Sequence, residues 1–323
     1  MDLVVGATGQ LGTAIVRKLR RDGRPVRALV RETSNYSHLL EAGAEIVKAD
    51  LTDRASLDRA CEGVDTVIAT ANTALPREKG DSFAAVDDKG YENLINAARD
   101  AGVRQFIYTS ALSDPEFDRL PLISRKRVNE ERLRRSGMEY TIFRAAPFMD
   151  VSFAMMGSDI PLRGAEAASV ARPFWFTAKF FGSVKNNISD AGTIGILGDG
   201  STRHSYVCVD DVAEFHVKAI GHRSAINAAF DIGGPEALSQ LQVKEIYEKI
   251  LGKSLKARHT PALVFKIGYG LLSWFSPAAA NIMGLNYHAA TTESVIDMSE
   301  TARIFDVKLT SAEEFLSKRA AMP

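Results

Sequence analysis

The chain has 323 residues, 46% of them apolar, and its forty basic residues are balanced by forty acidic ones. That length exceeds one ordinary domain, the apolar content suits a large core and argues against disorder, and the zero net charge gives no general attraction to nucleic acid or an anionic membrane, so either role would need a local patch. Cys61 and Cys208 lie too far apart in sequence for metal-ligand or disulfide-framework spacing, and with no His/Asp ligand cluster no metal is expected. The first element starts at once. Leu3-Val4-Val5 is a short apolar run that reaches Gly6; glycines recur at Gly9 and Gly12, and Leu11, Ala14, Ile15 and Leu19 then fall on one helical face. This is a strand, a tight turn and a helix. In a dinucleotide site the first glycine allows the turn, the second lets the backbone approach the pyrophosphate, and the third packs the helix against the strand. The phosphates then sit on the helix N-terminus, where unpaired N–H groups and the helix dipole favour negative charge. Gly6, Thr8, Gly9, Gln10, Leu11 and Gly12 are the cofactor contacts expected here. No signal peptide precedes this strand, which together with reduced thiols implies a cytoplasmic protein.

The helix ends at Arg20-Arg21-Asp22-Gly23, a basic last turn followed by a glycine cap. Pro25 to Val30 forms a second strand. Enzymes using NAD place Asp or Glu at its end to bind the ribose 2′-hydroxyl; here Val30 is followed by Arg31, which favours NADP(H), while Glu32 keeps NAD(H) open. Glu45 to Lys48 is a third strand leading to Asp50-Leu51-Thr52-Asp53, where Thr52 or Asp53 caps the helix carrying Leu57 and Ala60. Asp65 to Thr70 is a fourth strand, and Thr70, Ala71 and Asn72 stand at its carboxyl end, where open parallel sheets hold ligands. Val86 to Ala98 has a helical pattern closed by Gly102, and Arg104 to Ser110 is a fifth strand. The Ser110 hydroxyl at its end can reach a substrate carbonyl, although Ser and Thr also end strands without any chemistry. Leu122 to Gly137 carries the charges of an exposed helix, yet Lys126 and Leu133 are seven residues apart and differ in direction by only about 20°. Lys126 therefore faces inward. It takes either a cofactor ribose or substrate oxygen as partner or snorkels as a structural lysine.

After Pro147 the composition shifts to methionine, proline and aromatic residues, including Phe153 to Met156 and Pro173-Phe174-Trp175-Phe176. Residues 151–202 read as a substrate-side insertion or lid. Gly198-Asp199-Gly200 is a turn, Ser205 to Val209 a short strand, Asp210 or Asp211 the cap of a helix with Val212, Ala213 and His216, and Ala228 to Ile232 another strand. His204 and Tyr206 are the substrate-side candidates. Leu241 to Leu251 is helical and ends before Gly252. Ala262 to Phe275 is apolar, interrupted by Lys266, stopped by Pro277 and shorter than a membrane span. It reads as a buried or dimer-facing helix, which leaves a homo-oligomer open, with peripheral membrane contact as the lesser alternative.

The Gly-x-x-Gly-x-x-Gly spacing with Ala7-Thr8 inside it resembles the extended and atypical short-chain dehydrogenase/reductase superfamily. The spacing from Lys126 to Ser136-Gly137 and Tyr140-Thr141-Ile142 is similar to its NmrA-like and isoflavone-reductase-like branch, with further matches at Pro147-Phe148, Asp211-Val212-Ala213 and Gly233-Gly234-Pro235. The resemblance implies a Rossmann α/β fold, a doubly wound parallel sheet over residues 1–150 completed by 203–234, with 151–202 and 235–323 forming a smaller substrate or lid domain. It implies that Asp50 and Leu51 contact adenine, that Pro147 and Phe148 border the cofactor, and that Asn93 is mainly structural. The activity it implies is NADP(H)-dependent hydride transfer to or from a small carbonyl, enone or related organic substrate, with Lys126 positioning the ribose and acting as acid or base and Ser110 as auxiliary donor. One position departs from the superfamily pattern. Its Tyr-x-x-x-Lys pair is incomplete, because Leu122 stands four residues before Lys126, and if the serine position maps to Ala111 that hydroxyl is missing too. Some members of the branch work with the lysine alone, while others bind NADP and catalyse nothing, so a redox sensor or complex-assembly protein is the competing class.

Overall fold

The computed structural model describes the chain except for residues 77–79, 113, 166–174 and 323, and omits the side chains of 175–178. The Pro173-Phe174-Trp175-Phe176 motif therefore lies outside the described residues, apart from the backbone that opens the helix Trp175–Val184. Among the described residues eleven strands follow in chain order: β1 (Asp2–Val5), β2 (Val26–Val30), β3 (Glu45–Lys48), β4 (Thr66–Ala69), β5 (Gln105–Ala111), β6 (Glu139–Ala145), β7 (Thr193–Leu197), β8 (Arg203–His204), β9 (Ala228–Ile232), β10 (Leu238–Ser239) and β11 (Lys256–Thr260). Seven of them form one sheet in the order β3-β2-β1-β4-β5-β6-β9, and every pairing in it is parallel. The order reverses between β1 and β4, which leaves a crevice beyond their carboxyl ends. Both strands are buried along their whole length, as a sheet covered by helices on two faces requires.

On one face, Ile15 and Leu19 of the helix Gln10–Arg21 pack with Val212 and Phe215 of the helix Val209–Lys218 and with Phe143 of β6. On the other, Leu57, Leu94 and Leu133 pack against Phe106 and Tyr108 of β5. A separate core gathers Met149, Phe153, Ile194, Ile196, Val243, Tyr247 and Phe315 around the parallel pair β7 and β11. Met298, Phe305 and Val307 return to the first of these cores, and Asp211 fixes the return by accepting from the amide and hydroxyl of Thr310 at 2.7 and 2.9 Å.

Four local expectations change. Ser205 to Val209 is not a strand: Val207 makes one isolated bridge to Phe148, and Cys208 already begins the next helix. Neither Asp210 nor Asp211 caps that helix, because the buried Asp150 carboxylate takes the Val209 amide at 3.1 Å. The helical stretch before Gly102 starts as a π-helix, Phe83–Gly90, and becomes α-helical only over Tyr91–Asp100. The apolar run after Pro261 is a helix, Ala262–Leu272, in which Phe265 alone is buried, so within this chain it is not a core helix. No helix of the described residues is long and apolar enough to cross a membrane.

The helix Pro121–Arg134 carries a buried polar stripe, Lys126, Asn129 and Glu130, which is an informative departure from the usual inventory of helix interiors. Asn129 donates to the Asp87 carbonyl at 2.6 Å and so ties this helix to the π-helix. Glu130 sits among Arg127, Arg134 and Arg144, with Arg144 Nη2 at 2.6 Å. Burial pushes its carboxyl up, but hydrogen bonds from Arg144 and Ser110 and the charges of Arg127 and Arg144 outweigh that and hold it below the usual carboxylate range. Removing the carboxylate takes away the buried counter-ion that Arg127, Arg134 and Arg144 share, leaving them crowded with only their outer partners, Asp118, Glu131 and Asp231. Glu130→Ala is expected to lower unfolding stability in urea by about 3–5 kcal/mol near neutral pH. Because a depressed carboxyl stabilises above its unfolded pKa and loses that contribution as pH falls through the folded one, the gap to wild type should shrink in acid.

Candidate active site

A cleft of about 960 Å³ opens at the crevice beyond β1 and β4. Gly6 turns the chain at φ +85°, and a Cβ there would meet Thr70 Oγ1 and the Ala71 amide at 2.7 Å. A Cβ on Gly12 would stand 2.2 Å from the Gly6 carbonyl, so only glycine lets this helix seat on the strand end. Gly9 is the helix N-cap in extended conformation; no side chain caps the helix, and its first turn holds no acid. The first-turn amides belong to Gln10, Leu11 and Gly12, and these residues line the cleft with Gly6, Thr8 and Gly9. An uncapped helix start facing a cavity fits an anionic group.

The side chain of Gln10 is otherwise engaged, donating to Asp150 Oδ1 at 2.8 Å. Burial pushes the Asp150 carboxyl up to about 6, opposed by the Val209 amide and the Arg319 charge. Arg31 lines the cleft at the end of β2 and reaches Asp81 Oδ1 at 2.9 Å, a carboxylate not anticipated from sequence. Asp50 and Leu51 form the next part of the wall. Asp50 accepts from the Thr52 amide and hydroxyl, while Asp53 rather than Thr52 caps the following helix through the Ala55 amide. Asn93 holds this wall by donating to the Leu51 carbonyl at 3.1 Å, a structural role. Gly90 lets the π-helix close on the same residue, since a Cβ there would lie 2.9 Å from Leu51 Cβ.

Thr70, Ala71 and Asn72 continue the wall. The Thr70 amide bonds Val5 at 2.9 Å, and the Ala71 carbonyl accepts from the Tyr91 hydroxyl at 2.6 Å. Lys126 lines the same cleft at the end of β5, the strand beside β4, 8% exposed, with Nζ donating to the Thr109 carbonyl at 2.8 Å and standing 5.3 Å from the centre of the Tyr108 ring. Burial lowers its pKa from 10.5 to about 8, against the Asp87 carboxylate, which raises it. Asp87 in turn is pushed up to about 6 by burial, opposed by hydrogen bonds from the Thr73 hydroxyl and amide and by Lys126 itself. The sequence does not announce Asp87, because it lies in the π-helix Phe83–Gly90, whose register departs from the α-helical spacing that turns Lys126 inward with Leu133.

Ser110 lines the cleft too, but its hydroxyl donates to Glu130 Oε1 at 2.6 Å and accepts from Arg127. Its proton is committed inside the ion cluster. Leu122 packs with Phe83 and Ala278, and its amide donates to Asn281 Oδ1 at 3.2 Å, so an apolar contact fills the place of a phenol. Pro147 and Phe148 border the cleft from the far side of β6, pinned by the Val207 amide on the Pro147 carbonyl. His204 is held by Ser294 Oγ at 2.7 Å and the Ala289 carbonyl at 2.8 Å. With Nε2 donating to that carbonyl, Nδ1 accepts the serine proton, and burial lowers the imidazole pKa further below its ordinary value. Tyr206 stacks edge-on against Phe153 at 5.1 Å, and burial raises its phenol. The outer cleft is largely apolar, with Met155, Phe180, Val264, Phe265 and Met283 in its wall. Among the described residues no group of three His, Cys, Asp or Glu could hold a metal, and both cysteines are buried and free.

The reversed parallel sheet, its glycine turn and the cleft beyond it define a Rossmann-type α/β protein. The chain belongs to the NmrA-like family, whose model matches residues 3–316. A photosystem II assembly factor, Ycf39, from Cyanophora paradoxa is 27% identical over 312 residues, 96% of this chain and 88% of that protein. A (4-alkanoyl-5-oxo-2,5-dihydrofuran-3-yl)methyl phosphate reductase from Streptomyces griseus is 30% identical over 259 residues, 79% of this chain and 76% of that protein. Among solved structures, the NADPH-dependent quinone oxidoreductase QOR2 of Escherichia coli, complexed with NADPH, superposes with a TM-score of 0.71 at 22% identity, over 98% of this chain and 99% of that one.

The depressed lysine gives a direct expectation. Between the folded pKa of about 8 and the ordinary 10.5, the unfolded chain binds more protons than the folded one, so stability rises with pH across that window. Wild type should gain about 3 kcal/mol relative to Lys126→Met between pH 7 and pH 11, read as the difference in urea unfolding free energy.

Proposed function

We propose that the cleft binds NADP(H) and that the chain transfers a hydride to or from a small carbonyl, enone or related organic substrate. The observation that carries this is the meeting in one cavity of an uncapped helix start behind a glycine turn and a buried lysine opposite it. Gly6, Thr8, Gly9, Gln10, Leu11 and Gly12 would hold the pyrophosphate through backbone amides, Arg31 the 2′-phosphate, and Asp50 and Leu51 the adenine. Thr70, Ala71, Asn72, Lys126, Pro147 and Phe148 would line the nicotinamide half. When bound, the cofactor supplies the hydride. The chain's own contribution is to exclude water with the apolar outer cleft and to hold a proton at Lys126 Nζ. Burial keeps that ammonium acidic enough to polarise or protonate a substrate oxygen near neutral pH. His204 and Tyr206 lie toward the substrate half. Residues 1–150 with 203–234 serve as the nucleotide unit, and 151–202 with 235–323 as the covering unit. The named reductase and quinone oxidoreductase support this reading, as do the buried reduced thiols for a cytoplasmic setting.

One arrangement favours the competing class, a non-catalytic NADP(H)-binding sensor or assembly protein. Leu122 offers no phenol and Ser110 has given its proton to Glu130, so Lys126 carries any proton chemistry without help from those two positions. The Ycf39 likeness is in line with that class.

Titration with NADPH and NADH should show preference for NADPH, which Arg31→Ala should remove while leaving NADH affinity nearly unchanged. Equal affinity in wild type would refute the role of Arg31. A screen of NADPH oxidation with aldehydes, ketones, quinones and enones should find turnover with a basic limb near pH 8, because the acid form must be present. Lys126→Met should lower turnover by about 10²–10⁴-fold, with a smaller change in cofactor affinity. Tight NADPH binding with no hydride transfer across that panel would favour the sensor or assembly class.

A further inference from the structure

The helix Ala262–Leu272 and its neighbour Pro277–Thr291 pack against one another as a hairpin whose inner side walls the cleft with Phe265, Ile282 and Met283. Among the described residues its outer side is largely uncovered. Leu263, Ile267 and Leu271 recur at four-residue spacing, so they stack on one helical face, and they are 62%, 53% and 64% exposed. The stripe runs on into the turn, where Trp274 and Phe275 are each 86% exposed. Soluble chains rarely leave so continuous an apolar stripe in water.

Charge singles out the same region. From Gly252 to Thr292 the sequence contains no Asp or Glu, although the whole chain has 40, while Lys253, Lys256, Arg258 and Lys266 fall within it. Lys256 and Arg258 are exposed on β11, the strand that leads directly into the hairpin. The segment that carries the apolar stripe is thus also a cationic one within a neutral chain, with Asp114 beside His288 as an acidic contact from outside it.

We propose that this hairpin docks on an anionic lipid bilayer surface, with Trp274 and Phe275 in the boundary between headgroups and acyl chains and the flanking cations over the lipid phosphates. An 11-residue helix is too short to span a bilayer but suits one lying in its interface, where tryptophan is favoured. Side chains that stand free of neighbours match a fluid phase that closes around them, whereas protein hot spots sit in preformed pockets. A second copy is the poorer occupant: an isologous contact would bring the same acid-free, cationic patch against itself.

The test uses the full chain and vesicles of phosphatidylcholine alone or mixed with phosphatidylglycerol. The sequence has two tryptophans, so Trp175→Phe leaves Trp274 as sole reporter. The chain should float with the mixed vesicles, weakly or not at all with the neutral ones, and Trp274 emission should shift to the blue. The Trp274→Ser/Phe275→Ser variant should lose binding, and Lys256→Glu/Arg258→Glu should weaken it about tenfold or more. These residues are exposed, so circular dichroism and urea midpoints should stay unchanged; if the serine variant misfolds, the charge-reversed one decides. Failure to float with mixed vesicles overturns the proposal. So does binding that survives these substitutions, or a lipid-free dimer in sedimentation velocity that the serine variant abolishes.

Discussion

The contact between Gly12 and the carbonyl of Gly6 is the constraint on which the rest of the cleft depends. With no Cβ at either position, the first helix starts directly on the end of β1, and its free amides face the crevice made by the sheet reversal rather than a loop. That close seating also sets where β4 must end. Thr70 bonds to Val5, Ala71 lies against Gly6, and Tyr91 holds Ala71 from behind. The wall that Thr70 and Ala71 contribute is thus built outward from two missing methyl groups.

Lys126, which lines the cleft, and Asp87 behind it form a pair of opposed burial effects. Each alone would be driven towards its neutral form by loss of water, and each is partly rescued by the other's charge. The Glu130 cluster beneath them is of another kind, a carboxylate so surrounded by guanidinium groups that it stays ionised. The two clusters share one helix, four residues apart. This spacing gives the lysine a rigid anchor: its helix is held to β5 and β6 by Arg127 and Arg144 while its own ammonium is left with a single backbone carbonyl.

The strands of the large parallel sheet, the glycine turn and the inward lysine are legible because each rests on local spacing, an apolar run, three glycines or a seven-residue interval, whereas β7 and β11 of the second core carry no such signal. What was not legible depends on partners distant in sequence. Ser110 is bound by a carboxylate 20 residues on, and the helix at Val209 is capped by one 59 residues back, so no neighbouring pattern announces either. The apolar run at 262–275 reads from sequence as a buried or dimer-facing helix, because hydrophobicity reports that a surface seeks cover without saying whether the chain itself supplies it. The π-helix at Phe83–Gly90 hid for the related reason that its side-chain register differs from the α-helical one used to read it.

Asp150 gives the fold a property of a different order. Its one carboxylate accepts from Gln10, 140 residues earlier, and from the Val209 amide, and lies 3.5 Å from a nitrogen of Arg319, 169 residues later. Buried completely, it has these three groups for its charge and hydrogen bonds. One carboxylate thereby ties the opening residue of the first helix to the last helix of the chain, so a change at either end reaches the start of the cleft through a single side chain.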